Sequence, residues 1–152
     1  MFDLDHFKTI NDRYGHAVGD AALRVFAETI QYTMRDGDVI GRLGGEEFAA
    51  FVPGSVHEAA IAAERVRAKF EAAGAVIVGH SLSATVSIGA ADCLANGCDV
   101  GRLLSRADAA LYASKQAGRN RITCAPDDVG PTVDAPQPAG EAAEAAGLSY
   151  AI

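Results

Sequence analysis

The sequence contains no apolar run near the roughly 20 residues that a membrane-spanning helix needs. Its first residues also lack the basic, apolar, small-residue order of a signal peptide. The expectation is a soluble, cytoplasmic chain with no membrane segment. Positive charge is scarce too: 13 Lys plus Arg stand against 20 Asp plus Glu, a formal net charge of -7. That balance argues against wrapping nucleic acid or docking on an anionic lipid surface. Cysteine is sparse, and Cys93, Cys98 and Cys124 are an odd number at no metal-ligand spacing. Free thiols in a reducing compartment are expected.

What is present is enough for one globular domain: 152 residues, of which 49% are hydrophobic. The charge is unevenly spread. From Cys124 onward the chain has four of its five prolines and no Lys or Arg, with five of the 20 acids, so residues 1–123 keep 15 acids against 13 bases. The reading is a near-neutral domain over 1–123 and an acidic, Pro/Ala-rich disordered tail over 124–152.

Along the domain, MFDLD reads as the end of a strand entering a loop, and Phe7 and Ile10 mark a brief helix that stops at Gly15. Leu23, Phe26, Ala27, Ile30 and Met34 recur at helical intervals, which predicts an amphipathic helix over 20–35 started by Gly19 and Asp20. Val39–Leu43 and Phe48–Val52 flank Gly44 and Gly45 as a β-hairpin whose turn presents Glu46 and Glu47. Ser55 and Glu58 form a capping box ahead of a helix that ends near Gly74. Stretches 75–78 and 83–91 read as strands split at Gly79 and His80. Asp99 caps a last helix terminated by Gly118, and residues 119–123 add a short strand. This order predicts a layered sheet with helices packed on it.

Polar groups gather where such a sheet presents its strand ends: Asp3 and Asp5 after the first strand, Glu46 and Glu47 on the hairpin, Lys8, Lys115 and Arg119 near loop or helix ends. Carboxylates from two strands can converge on a hard divalent cation, which takes oxygen ligands and keeps water or phosphate oxygens. With cations nearby, the residues alone point to metal-assisted phosphoryl or nucleotidyl transfer. A solvated set of strand-end acids is the plain alternative.

The segments FDLDHFKTINDRYGHAVGD, RLGGEEF and SRADAALYASKQAGRNR, in that order across residues 2–122, resemble the GGDEF-domain diguanylate cyclases, with the signature in its GGEEF form. The resemblance implies an α/β (α+β) fold with a central, mostly antiparallel sheet flanked by helices, similar to nucleotide cyclases and polymerase palms. It implies condensation of two GTP into cyclic di-GMP with loss of two pyrophosphates, on a homodimer using Mg²⁺ or Mn²⁺. By the same resemblance Asp3, the Leu4 carbonyl and Glu46 are metal ligands, and Glu46, Glu47 and Lys8 are catalytic. Asn11 and Asp20 read guanine; an amide and a carboxylate offer the donors and acceptors its edge requires. Lys8, Lys115 and Arg119 contact phosphate.

Phe7, Tyr14, His16 and Phe48 are expected in packing and loop anchoring, and Asp5 in support of the site or the fold. Arg35 and Asp38, an RxxD whose Asp is separated by five residues from Gly44, together with Arg65 resemble a second site at which cyclic di-GMP inhibits. Family members begin with an earlier helix and a fuller first strand than MFDLD, so exposed core surface is expected beside that strand. Two further readings are carried: a noncatalytic module that binds GTP or cyclic di-GMP, and an acidic Ca²⁺-binding structural protein.

Overall fold

The computed structural model describes residues 1–93 and 99–126. Of the tail expected over 124–152, residues 127–152 lie outside the described residues.

The chain opens with β1 (Phe2–Leu4), α1 (Phe7–Tyr14) and α2 (His16–Thr33), followed by the hairpin β2 (Val39–Gly44) and β3 (Glu47–Phe51). It continues through α3 (Val56–Ala73), β4 (Val76–Ile77), β5 (His80–Ser81), β6 (Val86–Ala90), α4 (Val100–Gln116) and β7 (Ile122–Cys124). The main sheet has the order β2-β3-β1-β6-β7. Every neighbouring pair is antiparallel except β6 with β7, so the mostly antiparallel α+β architecture holds.

Short as it is, β1 is the middle strand. Phe2 is paired with Phe48 on one side and Ile88 on the other, and Phe2 and Leu4 are buried. Strand alternation divides the sheet into two faces. On one, Phe2, Leu4, Phe48, Val86 and Ile88 join Phe26 and Ile30 of α2 and Val66 and Phe70 of α3 in the main core. Phe26 is its centre: its ring meets those of Phe48 and Phe70 edge-on at 4.8 and 5.0 Å. The other face carries Asp3, Ser87 and Gly89 and is covered by α4. A side chain at Gly89 would run into the backbone of Ala107 and Leu111, so the missing Cβ is what lets α4 lie against the sheet. Buried Ser114 then donates to the Ile88 carbonyl at 2.7 Å.

Local signals are realised as read. Ser55 and Glu58 form the reciprocal capping box of α3, and the Asp99 carboxylate accepts from the Gly101 and Arg102 amides. Three boundaries differ. Helix α2 begins at His16, with Gly15 at φ +85° as its cap, because Gly19 serves packing instead: the Asn11 side chain occupies the space its Cβ would fill. Val78 and Gly79, both at positive φ, form the two-residue turn of a β4–β5 hairpin, a geometry that matches strand twist. At the far end, β7 includes Cys124, and the Ala125 amide still reaches the Ala90 carbonyl at 2.7 Å, so sheet pairing runs past 123. Cys93 is disulfide-bonded while Cys124 is a free thiol, which corrects the expectation of free thiols throughout.

An apolar groove of about 470 Å³ is lined by Phe2, Phe51, Val56, Ile88, Val100 and Leu104 among others. Among the described residues no helix is long and apolar enough to cross a membrane.

Candidate active site

The sequence places Asp3 between two core residues, and alternation turns its side chain to the α4 face. Only 7% of the residue is exposed. The antiparallel register sets Asp3 directly opposite Glu47, a like-charge pairing that strands normally avoid. Lys115, in the last turn of α4, answers it: its ammonium lies 2.8 Å from the Asp3 carboxylate. Burial pushes the Asp3 carboxyl above its ordinary range; the Lys115 hydrogen bond and charge oppose this, while Glu46 and Glu47 add to it. Both hairpin acids therefore feel Asp3 electrostatically. The Leu4 amide donates to the Glu46 carbonyl at 3.3 Å, which puts the end of β1 against the signature turn.

That turn is shaped locally. Gly45 adopts φ +47°, a region that penalises side chains, whereas no protein atom lies near where a Cβ on Gly44 would sit. The Arg42 guanidinium donates twice to the Gly45 carbonyl, a clamp that motif reading did not single out. Glu46 is half-buried and Glu47 exposed.

The residues expected to hold a metal, Asp3, the Leu4 carbonyl and Glu46, would offer it oxygen ligands alone. Among the described residues no three His, Cys, Asp or Glu side chains form a metal-holding group. So sparse a set suits a hard cation that retains water or phosphate oxygens better than one caged by protein.

Asn11, on α1, rests its side-chain amide on Gly19 of α2. Asp20 is the next residue, exposed and within the helix, so it has no N-cap role. Lys8 is exposed on α1. Arg119 lies past the end of α4 in a left-handed conformation, φ +61°.

Asp5 is 4% exposed. It accepts from the Thr85 hydroxyl at 2.7 Å, the Ser87 hydroxyl at 2.6 Å and the Asn120 amide at 3.1 Å. Its partners lie 80 or more residues away, so no local pattern could announce them. Phe7, Tyr14 and Phe48 pack on or in the core as expected, but His16 is exposed at the start of α2 and has no hydrogen-bond or ion-pair partner among the described residues.

The second candidate cluster is partly assembled. The Asp38 carboxylate, 2% exposed, accepts from the Arg35 amide at 3.0 Å and Nε at 3.4 Å. Arg35 also donates to the Pro53 carbonyl at 2.6 Å. These residues border a hollow of about 490 Å³ that continues to Arg42 and Phe48. Arg65 is exposed on α3 and is bonded to neither of them.

Comparison with known proteins joins these observations. The family described as "Diguanylate cyclase, GGDEF domain" matches residues 1–121. Diguanylate cyclase A of Treponema denticola is 42% identical over 124 residues, covering 81% of this chain and 33% of that protein. The probable diguanylate cyclase DgcF of Escherichia coli is 42% identical over 129 residues, 81% of this chain and 41% of that protein. The chain thus spans about a third of the length of the first curated relatives it matches. Among solved structures, the GGDEF domain of DgcB from Caulobacter crescentus in complex with c-di-GMP superposes with a TM-score of 0.75 at 37% identity, covering 82% of this chain and 74% of that one. The active GGEEF domain of a diguanylate cyclase from Vibrio cholerae gives 0.75 at 32% identity, covering 82% and 79%. With the Asp3 strand, the GGEEF turn and the whole of α4 inside the matched span, the chain belongs to the GGDEF domain family.

Proposed function

We propose that this domain joins two GTP molecules into cyclic di-GMP, as one half of a homodimer in which each protomer presents a GTP to the other. One observation carries the reading: strand β1, the signature turn and the last turn of α4 bring Asp3, Glu46, Glu47 and Lys115 into one electrostatic unit. The related domains named above, one of them in complex with c-di-GMP, support it.

In each half-reaction the 3′-hydroxyl oxygen of one GTP bonds to the α-phosphorus of the other. The bond from that phosphorus to the bridging oxygen breaks, and pyrophosphate leaves; two such steps close the ring. Asn11 and Asp20 hold the guanine edge, which adenine cannot match because it lacks the N1–H and N2–H donors. Lys8, Lys115 and Arg119 carry the phosphates, Lys as compact charges and Arg as a planar fork. Lys8 also neutralises charge on the departing pyrophosphate. Asp3, the Leu4 carbonyl and Glu46 would hold Mg²⁺ or Mn²⁺, which would supply charge neutralisation and a lowered hydroxyl pKa. Glu46, with Glu47 beside it, receives the hydroxyl proton.

Arg35, Asp38 and Arg65 form the product-binding site that restrains the enzyme. The closed Arg35–Asp38 turn leaves Arg35 58% exposed, with a guanidinium face free to stack on guanine. A GTP-consuming domain of this kind acts in the cytoplasm, and neither nucleic acid nor a membrane is a partner of its site.

Incubation of the chain with GTP and Mg²⁺, with cyclic di-GMP as the readout, tests the proposal. Product formation supports it. GTP or cyclic di-GMP binding by a folded dimer that yields no product identifies a noncatalytic module instead, and metal binding indifferent to GTP identifies the Ca²⁺-binding alternative.

A further inference from the structure

The loop between α4 and β7 has three consecutive residues at positive φ: Gly118 at +108°, Arg119 at +61° and Asn120 at +46°. Glycine takes this region freely and asparagine tolerates it, but arginine does not favour it. Something outside the loop must hold it there. The backbone is fixed by two bonds: the Arg119 amide donates to the Ser114 carbonyl at 3.0 Å, and the Asn120 amide to the buried Asp5 carboxylate at 3.1 Å.

The Asn120 side chain is fixed from the opposite side, by α3. Its Oδ1 accepts from Arg67 at 2.8 Å and its Nδ2 donates to Glu71 at 2.8 Å. Arg67 is in turn locked between Glu64, at 2.7 Å, and Glu71, at 2.8 Å, with 16% of its side chain exposed. The bridge also lowers the Glu71 carboxyl below its ordinary range, through bonds from Arg67 and Asn120. By contrast, the Arg119 guanidinium has no partner among the described residues. It is four residues beyond Lys115, which is already tied to Asp3.

We propose that Arg67, through Asn120, is a positioning residue for the triphosphate: the bridge from α3 fixes the left-handed loop and so directs Arg119 to the β- and γ-phosphates of GTP. Arg67 touches no substrate. It acts from another helix, through one amide side chain, and its loss lets Arg119 sample conformations that miss the phosphates. The inference rests on the GTP reading above.

A double-mutant cycle tests it, using GTP and guanosine monophosphate as probes with Mg²⁺ present. Arg67→Met and Arg119→Ala should each weaken GTP binding by roughly three- to tenfold and leave the monophosphate unchanged, and the double variant should bind GTP no more weakly than Arg119→Ala alone. Arg67→Lys, which keeps the charge and loses the fork, should fall between wild type and Arg67→Met. Independent multiplication of the two effects, an equal loss for both nucleotides, or a lower melting temperature with GTP affinity intact would each overturn the positioning role. Absence of GTP binding by the wild-type chain would instead overturn the GTP reading, and this inference with it, before any variant is compared.

Discussion

Lys115 Nζ lies 2.8 Å from Asp3 Oδ2, so the last turn of α4 is joined to the middle strand at the point where a second carboxylate, Glu47, stands opposite. The fold has placed an acid where it is costly to ionise, then held it with one cation. Such an arrangement is poor for stability and suited to a ligand that brings further positive charge.

Asp3→Asn follows from this directly. Because burial raises the folded-state pKa of Asp3 above its ordinary 3.8, any stability contributed by its titration is present below the unfolded value and is lost as pH rises through the folded one. Removing the ionisable group should leave the melting temperature at pH 7 unchanged or higher and flatten its fall over that acid window. Turnover should drop by about 10²-fold or more. Thermal melts from pH 3 to 7 alongside product assays check both halves; a large loss of stability at pH 7 would contradict the account.

Asp5→Ala should do the reverse. It strands the Thr85 and Ser87 hydroxyls and the Asn120 amide, a cost of about 2–4 kcal/mol from lost charge-assisted bonds and buried unpaired groups. Urea denaturation measures it, and Asp5→Asn should recover part of the loss.

Gly19→Ala introduces a Cβ into the Asn11 amide. The helix pair must move apart or the amide must rotate, at about 1–3 kcal/mol, and guanine selectivity should fall with it. Asp20→Ala should lower selectivity for GTP over ATP with stability nearly unchanged, since Asp20 is exposed. Competition binding with both nucleotides separates the two variants.

Arg35→Ala should raise the product concentration needed for half inhibition by about tenfold or more while the initial rate stays at its wild-type value. Progress curves with added cyclic di-GMP give both numbers. An unchanged inhibition curve would remove the second site.

The sequence made some of this plain because the causes are local. Ser55 and Glu58 lie within one turn, the Gly44–Gly45 hairpin within one loop, and Asp99 beside the amides it caps. Other features depend on where the chain meets itself. Gly19 looks like a helix start until Asn11 is seen resting on it. Val78 is a poor residue for a turn at positive φ, so the β4–β5 hairpin gave no signal. Asp5 stands two residues from Asp3 with the same chemistry, yet one is held by hydroxyls and an amide and the other by a lysine. Only the register of β1 against β3 and β6 separates their tasks.

The most direct test of the central claim is the ratio of pyrophosphate to cyclic di-GMP released from GTP by the wild-type chain and by Glu46→Gln at matched folding. The wild type should release two pyrophosphates per cyclic di-GMP, and the variant should lose both products with its melting temperature kept. Pyrophosphate without cyclic di-GMP, or undiminished turnover by Glu46→Gln, would contradict the claim.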